Sequence, residues 1–124
     1  MKIAVCSKNE GLKALVDERF GRADKFVIYD VETKDVKTIE NSAKNEGVGA
    51  GGQAVKNLYD NNVEVAIVPQ LGPKAVDAFK AFEIKVYSLG ESKTVEEAIE
   101  KYKNGDLKEL KMDEIKGKGG LRRA

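Results

Sequence analysis

The residues that could do chemistry in this 124-residue chain fall into a few short stretches. Cys6-Ser7 brings a thiol beside a hydroxyl, and Phe20-Gly21-Arg22-Ala23 sets one guanidinium next to a glycine. Residues 42–52 hold four glycines in eleven positions, and Gln70-Leu71-Gly72-Pro73 makes a tight turn further on. Arg22 carries a planar fork of N–H donors suited to an anion. Glycines reach backbone conformations closed to other residues and leave the main chain open to approach. A helix that opens after Gly51-Gly52, or at Pro73, turns unpaired N–H groups and partial positive charge toward whatever lies beyond it. The chemistry these residues suggest is the holding of an anion. The candidate cleft comprises Cys6, Ser7, Phe20, Gly21, Arg22, Gly49, Gly51, Gly52, Gln70 and Gly72, with Cys6 as a metal ligand in the lesser alternative.

Each of these residues also has a plainer reading. The glycine run fits a flexible loop, Gly72-Pro73 fits helix-start punctuation, and Arg22 fits a surface ion pair. Phe20 and Phe26 fit the core, and Cys6 fits a small packed hydrophobe. The glycine run lacks dinucleotide-loop spacing and the Gly-Lys-Ser/Thr ending of a phosphate loop.

Other chemistry is excluded by composition. The chain has no histidine, which removes the usual general base and rules out a His-containing zinc site. Ser7 has no base to activate it, and no close carboxylate pair is evident, so an enzyme is not expected. A net charge of +1 argues against nucleic acid and anionic membrane as partners. No stretch is long and apolar enough to span a bilayer. A single cysteine cannot form an internal disulfide, and with no cleavable leader pattern the expected location is the reduced cytoplasm.

These residues must be positioned by the elements between them. Period-two, β-branched patterning predicts strands over 2–7, 26–31, 36–40, 63–68 and 84–88. Helical spacing predicts helices over roughly 53–60, from Pro73 through Phe82, and from a Thr94 cap with Glu97 completing a capping box. Residues 8–19 read as a long loop with at most a short helical turn. A hairpin followed by βα repeats points to a three-layer α/β/α domain with a mixed five-stranded sheet. The expected order is 3-2-1-4-5 with strand 2 antiparallel, a ribonuclease-H-like motif. One domain over 1–107 is expected, followed by a short, partly disordered polar tail over 108–124; Leu107, Leu110, Met112 and Ile115 are expected to make one short docked segment across that boundary. In this topology the loops 7–24, 42–52, 70–73 and 89–93 converge beyond the strand C-termini, where open α/β sheets bind ligands.

The same residues carry a resemblance. Met1-Lys2-Ile3-Ala4-Val5, then Val16-Asp17-Glu18-Arg19-Phe20-Gly21-Arg22-Ala23 leading to Phe26, resembles the start of the dinitrogenase iron–molybdenum-cofactor family, which includes NifX, NafY and the C-terminal part of NifB. The glycine run, Val65-Ala66-Ile67-Val68 with Gly72-Pro73-Lys74-Ala75, Ile84-Lys85-Val86-Tyr87 and Thr94-Val95-Glu96-Glu97-Ala98 extend it over nearly residues 1–107. The resemblance implies transient binding or carriage of an iron–molybdenum or iron–sulfur cluster, or its precursor, with possible protein partners in cofactor assembly. Members sometimes carry a histidine in the loop before the first helix, and Asn45-Glu46-Gly47-Val48-Gly49 has none. The reading that results is a non-catalytic binding module for an anionic ligand. The alternative is a regulatory or protein-interaction domain that keeps the fold without a cluster.

Overall fold

The computed structural model describes residues 1–44 and 49–111. Its elements are β1 (Lys2–Ser7), β2 (Lys25–Asp30), β3 (Val36–Glu40), α1 (Ala50–Asp60), β4 (Val63–Val68), α2 (Pro73–Phe82), β5 (Lys85–Ser88) and α3 (Val95–Lys103). The strands lie in the expected order, β3-β2-β1-β4-β5. β2 runs antiparallel to β1 and β3, and β1, β4 and β5 are parallel. The C-terminal ends of β1, β3, β4 and β5 therefore share one edge with the start of β2.

Strand alternation sorts the core into two clusters, one on each face of the sheet. Ala4, Cys6, Phe26, Ile28, Ala66 and Val68 face α1 and α2, where Val55, Leu58 and Phe79 meet them. Ile3, Val5, Val27, Val65 and Ile67 face α3, which supplies Val95, Ala98 and Ile99. Phe79 has no exposed surface, and burial of such a side chain stabilises by about 1.5–3 kcal/mol.

One helix is too narrow to cover the second face. The segment after β1 completes it: Ala14 and Val16 join that cluster, and the Ala14 and Leu12 carbonyls accept from Val95 N–H at 2.9 Å and Glu96 N–H at 2.8 Å. This segment forms no helical turn. It makes bridges from Val16 to Ser7 and from Leu15 to Thr94 instead.

Two helix starts differ from expectation. α1 begins at Ala50, three residues before Gln53, with Gly49 as its N-cap at φ 84°. Gly51 and Gly52 are thus in the first helical turn despite their poor helix propensity. Packing favours a residue without a side chain at Gly51, where a Cβ would crowd Ala75. At α3, Thr94 Oγ1 accepts from Glu97 N–H at 3.2 Å as expected, but Glu97 Oε1 accepts from Lys93 N–H at 2.8 Å, one residue ahead of the usual reciprocal bond.

The start of the expected tail pairs with β5. Ser88 N–H donates to the Lys108 carbonyl at 2.9 Å, and Leu110 N–H donates to Val86 at 2.8 Å. Leu107 and Leu110 pack against the two clusters. Met112 and Ile115, also expected to dock, lie outside the described residues.

Candidate functional site

The segment from Asp17 to Asp24 carries the residues singled out by sequence. Asp17 is the post around which it turns, with 1% of its side chain exposed. Its carboxylate accepts from the Arg19 backbone N–H at 3.0 Å, from Arg19 Nε and Nη2 at 3.1 Å each, and from Asp24 N–H at 3.1 Å. Burial pushes the Asp17 carboxyl up, but the hydrogen bonds from Arg19 and the Asp24 N–H outweigh it and hold the group below its ordinary range.

Phe20 then inserts into the core, its ring 5.6 Å from Phe26 and 5.1 Å from Phe79. That anchor presses Gly21 onto the first turn of α1. A Cβ on Gly21 would lie 3.0 Å from the Gly51 nitrogen and 3.1 Å from its Cα. Gly51 is pressed in turn on α2, where its own Cβ would lie 3.2 Å from Ala75 Cβ. Three chain segments are stacked at this corner because two of the contact positions have no side chain.

Asn41 ties the corner from the other side. It is 2% exposed. Its Nδ2 donates to the carbonyls of Gly21 at 3.0 Å and Ala23 at 2.9 Å, while its Oδ1 accepts from Ala43 N–H at 3.1 Å. Arg22 is exposed, and its Nη1 donates to the Lys44 carbonyl at 2.7 Å. Sequence reasoning quoted Asp17 without giving it a role and missed Asn41. The signal for Asn41 was a short amide side chain directly after a strand, a position where such residues bond nearby backbone.

The interlock brings the N-termini of α1 and α2 side by side. Neither first turn has a side-chain cap or an acidic residue, and α2 opens with Pro73. Added Cβ atoms on Gly49, Gly52 and Gly72 would meet nothing within 4 Å, so these positions face open space. The N–H groups of both first turns carry partial positive charge, and Arg22 follows Gly21 in the segment stacked on them.

The expected site residues separate into three groups. Gly21, Arg22, Gly49, Gly51, Gly52 and Gly72 come together at this corner. Cys6, Ser7 and Phe20 lie beneath it, at 1%, 0% and 4% exposure, so they support the loops and offer a ligand no surface. Burial, and then the Asp17 carboxylate, push the Cys6 thiol far above its usual range. Cys6 is enclosed, and among the described residues no group of three ligating side chains includes it. Ser7 Oγ is used locally, donating to the Asn9 carbonyl at 3.0 Å. Gln70 is exposed and stands apart from the corner, on a groove of 720 Å³ bounded by the chain after β1, β4 and β5. Among the described residues, no group of three or more His, Cys, Asp or Glu side chains is placed to hold a metal ion, and no helix is long and apolar enough to cross a membrane.

The fold is that of a small α/β module, and its family and structural neighbours are of the cofactor-related binding or accessory type. The chain belongs to the dinitrogenase iron-molybdenum cofactor family, whose model matches residues 1–105. It is 33% identical over 113 residues to the uncharacterized protein MJ0580 of Methanocaldococcus jannaschii, covering 89% of this chain and 92% of that one. The structure resembles the apo form of the orange protein from Desulfovibrio gigas, at 34% identity and a TM-score of 0.84, covering 88% of this chain and 92% of the other. It also resembles a Thermotoga protein described as a candidate NifB protein, at 34% identity and a TM-score of 0.77, covering 98% and 97%.

Proposed function

We propose that this protein is a non-catalytic cytoplasmic carrier or accessory module that holds an anionic metallocluster as cargo. By family, that cargo is the iron–molybdenum cofactor or an iron–sulfur precursor. The observation that supports this most is the Gly21–Gly51–Ala75 stack, which packs the segment carrying Arg22 against the first turns of α1 and α2, neither of them capped by a side chain. The donor set fits outer contact with an anion and does not fit ligation. Cys6 is buried, no group of three ligating side chains is present among the described residues, and the chain has no histidine. Main-chain N–H groups would meet the cluster's outer atoms, and the Arg22 fork has enough donors to serve a carbonyl and an anion together. Loose, ligand-free contact also suits a carrier that must give its cargo up.

The test is anaerobic incubation with isolated iron–molybdenum cofactor, followed by gel filtration, absorbance and iron counting. Stoichiometric uptake is expected. Arg22→Ala should weaken it by about tenfold, the effect of one charge-assisted hydrogen bond. Cys6→Ser should leave it unchanged. Absence of uptake, or equal uptake by Arg22→Ala, would overturn the reading and favour a protein-interaction domain on the same fold.

A further inference from the structure

A groove of 380 Å³ runs between the C-terminal half of α2 and the segment that pairs with β5. Its floor is apolar, made by Phe79, Ile84, Val86 and Leu110, and charged side chains of both signs stand on its rim. Phe79, Ile84 and Val86 belong to the core cluster beneath α2, and Leu110 packs against that cluster. Lys111, the last described residue, also lines the groove. The core therefore reaches the surface beside the point from which the rest of the chain continues.

Chain direction and register set which residue follows there. Glu109 bridges Tyr87 in the antiparallel sense, and Leu110 N–H donates to the Val86 carbonyl at 2.8 Å. Each step forward from Glu109 is matched by one step back along β5, so the register continued puts Met112 opposite Ile84. Side chains alternate along a strand, so the same register gives Met112 the face of Leu110, which is the face that α2 covers. An unbranched thioether suits an irregular apolar gap.

Glu83 and Ile84 line both this groove and a notch at the start of β4, so a chain opposite Ile84 is already at the mouth of that notch. Tyr59 is half exposed there and stacks on Phe82 with ring centroids 4.6 Å apart. Asp60, Glu64 and Glu83 line the notch, and among the described residues no lysine or arginine does. Residues 116–124 have the opposite sign, with Lys116, Lys118, Arg122 and Arg123 and no acidic side chain.

We propose that groove and notch together are the docking surface for residues 112–118 of the same chain. Met112 fills the apolar groove, and Lys116 and Lys118 lie against Asp60, Glu64 and Glu83. The proposal does not depend on the cluster reading, whose residues gather at the opposite end of α2.

The experiment is NMR of the whole chain with methyl-labelled methionine. The sequence has two methionines, so Met112→Leu identifies the Met112 signal by its loss. Nuclear Overhauser contacts from the Met112 methyl to Phe79, Ile84 and Val86 are expected in the monomer. Met112→Ala should lower Tm by about 3–5 °C and Met112→Leu should preserve it, since only the first leaves a gap. Reversing charge with Glu64→Lys and Glu83→Lys together should move the amides of Lys116 and Lys118 toward their positions in high salt. The proposal is overturned if the Met112 methyl makes none of those contacts, or if they appear only in a dimer with a second copy. It is overturned too if Met112→Ala melts like the parent, or if charge reversal leaves both amides in place.

Discussion

Gly21→Ala tests whether the anion corner is built by close backbone approach. Gly21 does not have a positive φ, so alanine meets no conformational penalty of its own there. The added methyl would sit 3.0 Å from the Gly51 nitrogen, 3.1 Å from its Cα and 3.3 Å from the Ala50 carbonyl carbon. All three are backbone atoms, which cannot rotate aside, and Phe20 and Asn41 hold the segment from both sides. Overpacking of this kind costs about 1–3 kcal/mol. For a chain of this size that is a fall in Tm of roughly 3–5 °C per kcal/mol. Gly52→Ala is the control, one residue after Gly51 in the first turn of α1. Its methyl meets nothing within 4 Å, so the better helix propensity should stabilise by about 0.5–1 kcal/mol. Urea denaturation and thermal melts of both variants, followed by circular dichroism, separate the two effects. Gly21→Ala should also lose cofactor uptake even where it is fully folded, because the methyl displaces Arg22 from the α1 terminus. If Gly21→Ala is as stable as the parent, or Gly52→Ala is equally damaged, the interlock does not shape this corner.

Other outcomes follow from the residues under the site. Asp17→Asn should destabilise by about 1–3 kcal/mol, since a buried acceptor of charge-assisted bonds is exchanged for a poorer one. The Asp17 carboxyl titrates below its unfolded value of 3.8, so its contribution is present above that pH and is lost as pH falls through the lower folded value; acid titration of stability should be shallower in Asp17→Asn. Asn41→Ala removes three hydrogen bonds at the corner and should cost about 2–4 kcal/mol in urea unfolding. The Cys6 thiol should resist a disulfide reagent such as DTNB at pH 8 in the folded protein and react promptly in denaturant, as burial and the Asp17 charge predict. Rapid labelling of the native chain would contradict that placement.

Most of the fold was legible because its signals are local and mutually consistent. The alternation in Ile3-Ala4-Val5-Cys6 divides into the two core clusters residue by residue, and right-handed crossovers then fix the strand order. Sequence reasoning failed where tertiary contact overrides local preference. Gly51 and Gly52 read as loop, yet Gly51 is helical because α1 must come within contact distance of both Gly21 and Ala75. The segment after β1 looked polar and irregular, and its role as cover for the second face depends on backbone bonds to α3 that no spacing encodes. Within the candidate site, residue type singled out Gly21 and Gly51, which the structure stacks together beside α2. Depth was partly legible: Cys6 on a buried strand already fitted a packed hydrophobe, whereas no local pattern told that Gly51 is pressed on Ala75 while Gly52, one residue on, faces open space.

The bridge between Tyr87 and Glu109 bears on how this protein can be trimmed. A stop codon after Leu107 would discard the two main-chain bonds that occupy Ser88 N–H and the Val86 carbonyl. The outer margin of β5 would then offer unsatisfied groups to the next molecule, the usual route to edge-to-edge aggregation. Ending the chain after Lys111 keeps that margin sealed, so the shorter and the slightly longer product should differ far more in solubility than four residues of mass would suggest.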